Sequence, residues 1–491
     1  MKKYILAIDL GSTFARSIIF DKQFFPIFKE EQSINPHFLS NGHINYNLEK
    51  VWDAQLKTIL KVMSKVNPKE IAAIGIANQR QTTAMWDKNG NSVCEAISWQ
   101  CQRTIDICKD LTEQGLESEI TAKTGTILST VFAGPKIKWL LENIDGLAEK
   151  AINKEILFGT LDSWLIYKLT SGRLHITDYS NVSSTMIFDI HNRQWDSFLL
   201  DLFSIPPEIL PQVVPSSQIY GTTSSEIIGA EIPIAGIAGD QQASLFGHAC
   251  FEKSTLKNTY GTGGFTLVNT GSKAIPAANG LISEIAWVIE DQVTYALEGV
   301  LPVSGAVIKW LKEQVKIIKN ISDSEKLAFE VNTTEGVYFV PALAGIGTPY
   351  WDMNAKGTIC GLTFGTNTNH IIRAALEGMC YQTRDLIEAI TKLTAFSPKK
   401  LRIDGGASNN KFICQFQADI LGIPVEKSTV ADSTALGVAY LAGLAVGFCK
   451  STKDIQENWR CEQIFSPQIN EQDRELQYQG WKNAVAKTRL H

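Results

Sequence analysis

The chain has 491 residues and a mass of 54.2 kDa, too long for one core when domains centre on ~100–150 residues, so two or three domains are expected. Hydrophobic residues make up 44% and charged residues 20%, which excludes a chain too polar to fold. With 46 Lys+Arg against 51 Asp+Glu the formal net charge is −5, so no broad electrostatic claim on nucleic acid or anionic lipid exists and any phosphate must be held locally.

Nine cysteines are scattered without a CxxC pair, as expected of small buried hydrophobes in a reducing cytoplasm rather than zinc ligands. Cys94, Cys101 and Cys108 would share a face if one helix carried them. The apolar run Tyr4–Ile8 stops at Asp9, short of the ~7–15 residues of an export signal. The apolar, uncharged stretch Ala435–Phe448 carries three glycines and falls short of the ~20 residues a membrane span needs. A cytoplasmic protein without membrane span or nucleic-acid partner is expected.

In chain order, Tyr4–Asp9 and Arg16–Phe20 flank a glycine–hydroxyl turn and predict a hairpin. Leu48–Val66 has a helical stripe (Val51, Leu56, Ile59, Leu60, Met63), and Ile71–Ala77 reads as a strand covered on both faces. Helices follow from Pro135 and over Leu161–Leu169. Ile232–Ala238 reads as a strand, with a helix start at Gly239-Asp240. The opening theme then returns as Leu256–Tyr260, Gly261-Thr262-Gly263-Gly264 and Phe265–Asn269. Helices over Val303–Val315, His370–Ile390, Asn409–Leu421 and Ser433–Gly447, and a strand at Leu401–Asp404, complete an α/β pattern. Two halves, 1–245 and 246–491, each opening on a glycine-turn hairpin, predict an internal duplication with a cleft between them.

Five polar segments carry the chemistry. In Asp9-Leu10-Gly11-Ser12-Thr13, glycine admits a phosphate, the hydroxyls donate, and Asp9 can hold a hydrated Mg²⁺; a plain turn gives the same pattern. Gly261–Gly264 offers the same donors from the second half. Asp404-Gly405-Gly406-Ala407-Ser408-Asn409-Asn410 can admit a base or ribose, or simply cap a helix. Neither G-x-G-x-x-G nor a P-loop occurs. Asp240, after a buried strand, is either a catalytic base or a helix cap. Asn78–Thr83 crowds polar groups at a strand end, where, with Trp99 and Phe265 as apolar walls, a small polyol can bind.

Together these segments resemble the FGGY carbohydrate kinases, and among them the glycerol-phosphorylating branch, over essentially the whole chain. The similarity runs through Ala73–Arg80, Trp99-Gln100-Cys101, Lys136–Trp139, Phe158-Gly159-Thr160, Ile237–Gln242, Lys257–Gly263, Tyr295–Gly299, Gly357–Leu362, His370–Glu377, Asp404-Gly405-Gly406 and Thr434–Phe448. The resemblance implies an actin-like ATPase fold of two duplicated ribonuclease-H-like domains, and transfer of the ATP γ-phosphate to a polyol or sugar hydroxyl. On matching positions it implies that Ser12, Thr13, Phe14, Arg16, Thr262 and Gly305 lie at the phosphates, and Gly406 and Asn410 at the adenosine. Arg80, Gln81, Trp99, Val131, Gln241 and Phe265 would surround glycerol, with Asp240 as base and Asp9 and Asp240 at Mg²⁺. A homo-oligomer, dimer or tetramer, is also implied.

Four positions depart from the usual pattern of that branch: Gln81 for glutamate, Val131 for tyrosine, Leu10 for glutamine and Phe14 for a small hydroxyl residue. Gln81 keeps an acceptor oxygen but loses charge, and Val131 loses a hydroxyl. The alternatives are an FGGY kinase for another short polyol or ketose, and an actin- or chaperone-like ATPase with no metabolite substrate.

Overall fold

The structure, a computed structural model, describes residues 2–490. Thirteen strands form one sheet through the whole molecule. They are β1 (Tyr4–Leu10), β2 (Phe14–Phe20), β3 (Pro26–Ser33), β4 (Ile71–Asn78), β5 (Ser217–Thr222), β6 (Pro233–Gly239), β7 (Leu256–Tyr260), β8 (Gly264–Gly271), β9 (Ile282–Ile289), β10 (Gln292–Leu301), β11 (Leu401–Asp404), β12 (Val425–Ser428) and β13 (Cys461–Phe465). Their order across the sheet is β13-β12-β11-β7-β8-β10-β9-β5-β6-β4-β1-β2-β3.

The first half is an antiparallel β1–β2–β3 meander, with β4 parallel to β1 and β6 parallel to β4. The second half repeats it: β7, β8 and β10 run antiparallel, β11 lies parallel to β7, and β12 parallel to β11. The duplication expected from the two glycine turns is therefore present in the strand connections. The halves join where β5 meets β9, at the pair Ser217–Ile289. Register aligns Leu10 and Gly239 with Asn78, and Thr259 with Asp404. Each half thus presents the carboxyl ends of its parallel strands as one row, the edge at which open α/β sheets bind ligands.

β4 is buried along its whole length, which explains its unbroken apolar run. One cover is the helix α5 (Ser433–Ala445), which packs on β1, β4 and β6 and on α3 (Asp240–Gly247). Close approach needs glycine: a β-carbon on Gly437 would overlap the Ala243 carbonyl oxygen, and one on Gly75 that of Val438. Helix α1 (Leu48–Met63) starts on an Asn47 cap and buries Val51, Ile59 and Met63, while Leu60 points outward, one step off the expected stripe.

Other expectations shift at their edges. Helix α2 covers Ala133–Asn143, leaving Pro135 inside its first turn. Helix α4 covers Lys411–Leu421, because Gly406–Asn409 forms a separate tight turn before it. Of the three spaced cysteines only Cys108 lies on a helix, Ile105–Glu113, so the shared face does not form. All nine cysteines are unpaired and six are buried. Among the described residues no helix is long and apolar enough to cross a membrane.

Candidate active site

The site grows from the tips of β4 and β6. Beyond β4 the chain runs Asn78-Gln79-Arg80-Gln81; beyond β6, Gly239 caps α3 and Asp240 begins it. Buried Asp178 holds both tips. It accepts from the Ser180 hydroxyl (2.9 Å) and the Asn181 amide (3.0 Å). Ser180 in turn accepts from the Gly239 N–H (2.9 Å), and Asn181 from the Asn78 amide (3.0 Å). Asp240 is thus the first residue of the helix, not its cap.

Arg80 is the hub. Its Nη1 lies 2.8 Å from Glu284 Oε2, its Nη2 2.6 Å from Glu298 Oε1, and its Nε 3.4 Å from Asp240 Oδ1. Burial opposes its charge, but Glu298, Glu284 and Asp240 more than offset this and keep it protonated. Burial and the charge of Glu298 push the Glu284 carboxyl above the usual carboxylate range. The Asp240 side chain is 25% exposed, enough to meet a ligand. Burial raises its pKa, against the pull of Arg80 and Lys257, the direction that suits a proton acceptor working near neutrality. Lys257, itself lowered by burial, donates to Gln241 Oε1 (2.6 Å) and Thr259 Oγ1 (2.8 Å).

A first cavity of about 120 Å³ opens over this cluster. Arg80, Gln81, Trp99, Val131, Asp240, Gln241 and Phe265 all line it, so every residue expected around a polyol is brought together. Ser12 is there too: it lines this cavity, and its hydroxyl accepts from Trp99 Nε1 (2.9 Å). Gln81 holds a left-handed backbone at φ 63°, uncommon without glycine.

A second cavity of about 340 Å³ adjoins the first. Asp9, Arg16, Thr259, Asp404, Gly405, Gly406, Asn409 and Asp432 are among its lining. Gly405, at φ 86°, lies against the Tyr260 backbone, whereas a side chain on Gly406 would meet open space. Asn410 does not line this cavity. It caps α4, accepting from the Ile413 N–H (3.2 Å) and donating to Ser324 Oγ (3.3 Å), so the capping alternative holds and Asn409 takes the cavity position. Thr13 is exposed at its turn, and the Phe14 ring sits 5.3 Å from the Arg16 guanidinium. In the second half the Thr262 carbonyl accepts from the Ser304 N–H (2.9 Å), and the Gly305 N–H donates to Gly261 O (2.9 Å), joining that turn to the chain after β10.

Asp9 Oδ2 pairs with Arg16 Nη1 at 3.1 Å. Burial raises the Asp9 carboxyl against this pull, and the nearby Asp240 and Asp432 charges push the same way. Among the described residues no three His, Cys, Asp or Glu side chains gather as a metal cage. Asp9 and Asp240, two mutually repelling carboxylates, suit a hard cation with oxygen ligands such as Mg²⁺.

Sequence reasoning missed Glu284 and Glu298. Each is a lone carboxylate within an apolar strand, which is itself a signal for a buried ion pair. It also missed Ser129 and Trp351 in the first cavity and Asp432 in the second.

Residues 4–247 match the N-terminal domain model of the FGGY family of carbohydrate kinases and residues 256–446 its C-terminal domain model. A glycerol kinase of Caldanaerobacter subterraneus subsp. tengcongensis is 50% identical over 99% of this chain and 98% of that relative. Glycerol kinase 2 of Thermotoga maritima is 49% identical over 99% of both. The crystal structure of Plasmodium falciparum glycerol kinase with ADP superposes with a TM-score of 0.93 at 31% identity, covering 99% of this chain and 98% of that one.

Proposed function

The chain belongs to the FGGY family of carbohydrate kinases, and on that premise we propose that it phosphorylates glycerol with ATP at a terminal hydroxyl, giving sn-glycerol 3-phosphate. It is a phosphotransferase with an alcohol acceptor. The observation that carries the assignment is the part-exposed Asp240 carboxylate, 3.4 Å from Arg80 Nε, lining a small cavity walled by Trp99 and Phe265. An ATPase without a metabolite substrate has no use for such a pocket. The relatives named glycerol kinase support the choice of acceptor.

In this reading the first cavity holds the acceptor and the second the nucleotide, with the two halves, 1–245 and 246–491, contributing one side each. Asp240 accepts the hydroxyl proton as the oxygen attacks the γ-phosphorus, and the bond from that phosphorus to the β,γ-bridging oxygen breaks, so that ADP leaves. Arg80, fixed by Glu284 and Glu298, orients that carboxylate, and Trp99 and Phe265 exclude water. Arg16, Thr13, Thr262 and Gly305 face the phosphates, and Gly406 and Asn409 the adenosine. Asp9 and Asp240 would hold Mg²⁺, which supplies charge neutralisation on the phosphates. The protein works in the cytoplasm as a homo-oligomer, dimer or tetramer.

Gln81 and Val131 favour one second reading, a kinase for another short polyol or ketose. ADP release measured across glycerol, erythritol, dihydroxyacetone, xylulose and ribulose separates the two. Glycerol should give the highest kcat/KM; a higher value for any other acceptor overturns the glycerol assignment and leaves the kinase in place.

A further inference from the structure

Lys136 lies in the first turn of α2 and is fully buried. Its ammonium has no carboxylate partner among the described residues. It donates instead to two main-chain carbonyls, those of Gln81 (3.2 Å) and Val131 (2.5 Å). Both residues line the first cavity, yet they come from segments some distance apart in the chain: Gln81 follows β4, and Val131 precedes α2. The Gln81 carbonyl that reaches the lysine belongs to the residue held at φ 63°, a backbone conformation that persists only where its surroundings enforce it.

A buried ammonium bound only to neutral oxygens is an expensive way to fill space, since an apolar side chain of similar volume usually serves stability better. We propose that Lys136 is a positioning residue for the acceptor site: it ties the main chain at Gln81 to that at Val131 and so fixes the spacing of the two walls between which the acceptor lies. The inference rests on the reading of this cavity as the glycerol site.

The charge of the tie depends on pH. Burial pushes Lys136 down to about 7; the groups facing it are the Cys101 and Cys108 thiols, which favour its charge, and the Arg103 guanidinium, which opposes it. Below that value the ammonium makes charge-assisted bonds; above it the neutral amine makes ordinary ones, weaker by about tenfold in equilibrium terms. KM for glycerol should therefore rise as pH increases through about 7, while KM for ATP stays level.

Two variants of the full chain test this. Lys136→Met keeps the volume and removes the donors; Lys136→Gln keeps a neutral donor on a shorter stem. Lys136→Met should raise KM for glycerol about tenfold at pH 6.5, with less than a threefold change in kcat and in KM for ATP. Its glycerol KM should no longer vary between pH 6 and 8.5, and it should melt no lower than the parent. Lys136→Gln should fall between parent and Lys136→Met. An unchanged glycerol KM in Lys136→Met, or a pH-dependent rise that survives in it, overturns the proposal. So does a parallel loss of kcat, ATP binding and melting temperature, or failure of both variants to fold, because the lysine would then be structural only. A parent protein with no glycerol-dependent turnover instead sinks the acceptor assignment, and the proposal with it, before any variant is made.

Discussion

Gln81 lines the first cavity, its side-chain amide without a hydrogen bond to another described side chain, over a carbonyl held by Lys136. Arg80, its neighbour in sequence, is committed to Glu284, Glu298 and Asp240, so it offers little to a new charge at position 81. In Gln81→Glu the new carboxylate would accept a glycerol hydroxyl through a charge-assisted bond of ~1.5–3 kcal/mol, less the cost of desolvating it among existing carboxylates. We expect KM for glycerol to fall roughly threefold with kcat little changed, since the bond is made in ground and transition states alike. Steady-state kinetics check this, and a flat or rising KM would favour a different acceptor. At this scale Asp240, Arg80, Gln241, Trp99 and Phe265 were legible because each sits on a short polar segment beside a strand end. Glu284 and Glu298 were not, because their partner lies 204 and 218 residues away and only the folded sheet brings them together. Asn410 shows the limit of motif reading: the residue type fitted either role, and the fold sets its side chain as the cap of α4.

The elements were read more fully than the contacts between them. Both hairpins, the buried β4 and the helix opening at Asp240 follow from periodicity and glycine turns. Nothing in that periodicity could reveal that α5 is pressed against α3 and β4 at Gly437 and Gly75, because helical glycines otherwise read as mere weak points. This seam holds the helix that begins at Asp240. Gly437→Ala adds a methyl group where the Ala243 carbonyl already sits, and should cost about 1–3 kcal/mol. The check is the melting temperature, expected to fall by several degrees. Gly365→Ala, where only ordinary contact awaits a β-carbon, is the control; equal effects in both would contradict the seam.

Across the whole molecule the two halves are joined at the place where chemistry is proposed. Arg80 comes from the first half and its carboxylates Glu284 and Glu298 from the second, and Lys29 reaches Asp432, in the lining of the second cavity, at 2.8 Å. Asp240 is therefore aligned only when both halves are in register, and the proposed function sets the acceptor on one side of it and the nucleotide on the other. Transfer between the two cavities, with Asp240 as proton acceptor, is the central claim. It is tested most directly by glycerol-dependent ADP release in the parent and in Asp240→Asn, with ATP affinity measured on the same preparations. Removing a general base costs ~10²–10⁴ in rate, and the nucleotide's contacts lie mainly in the other cavity. Turnover should fall at least a hundredfold, within that range, while ATP affinity stays within about twofold. A variant that keeps most of its turnover, or that loses ATP binding in step with it, would contradict the role given to Asp240.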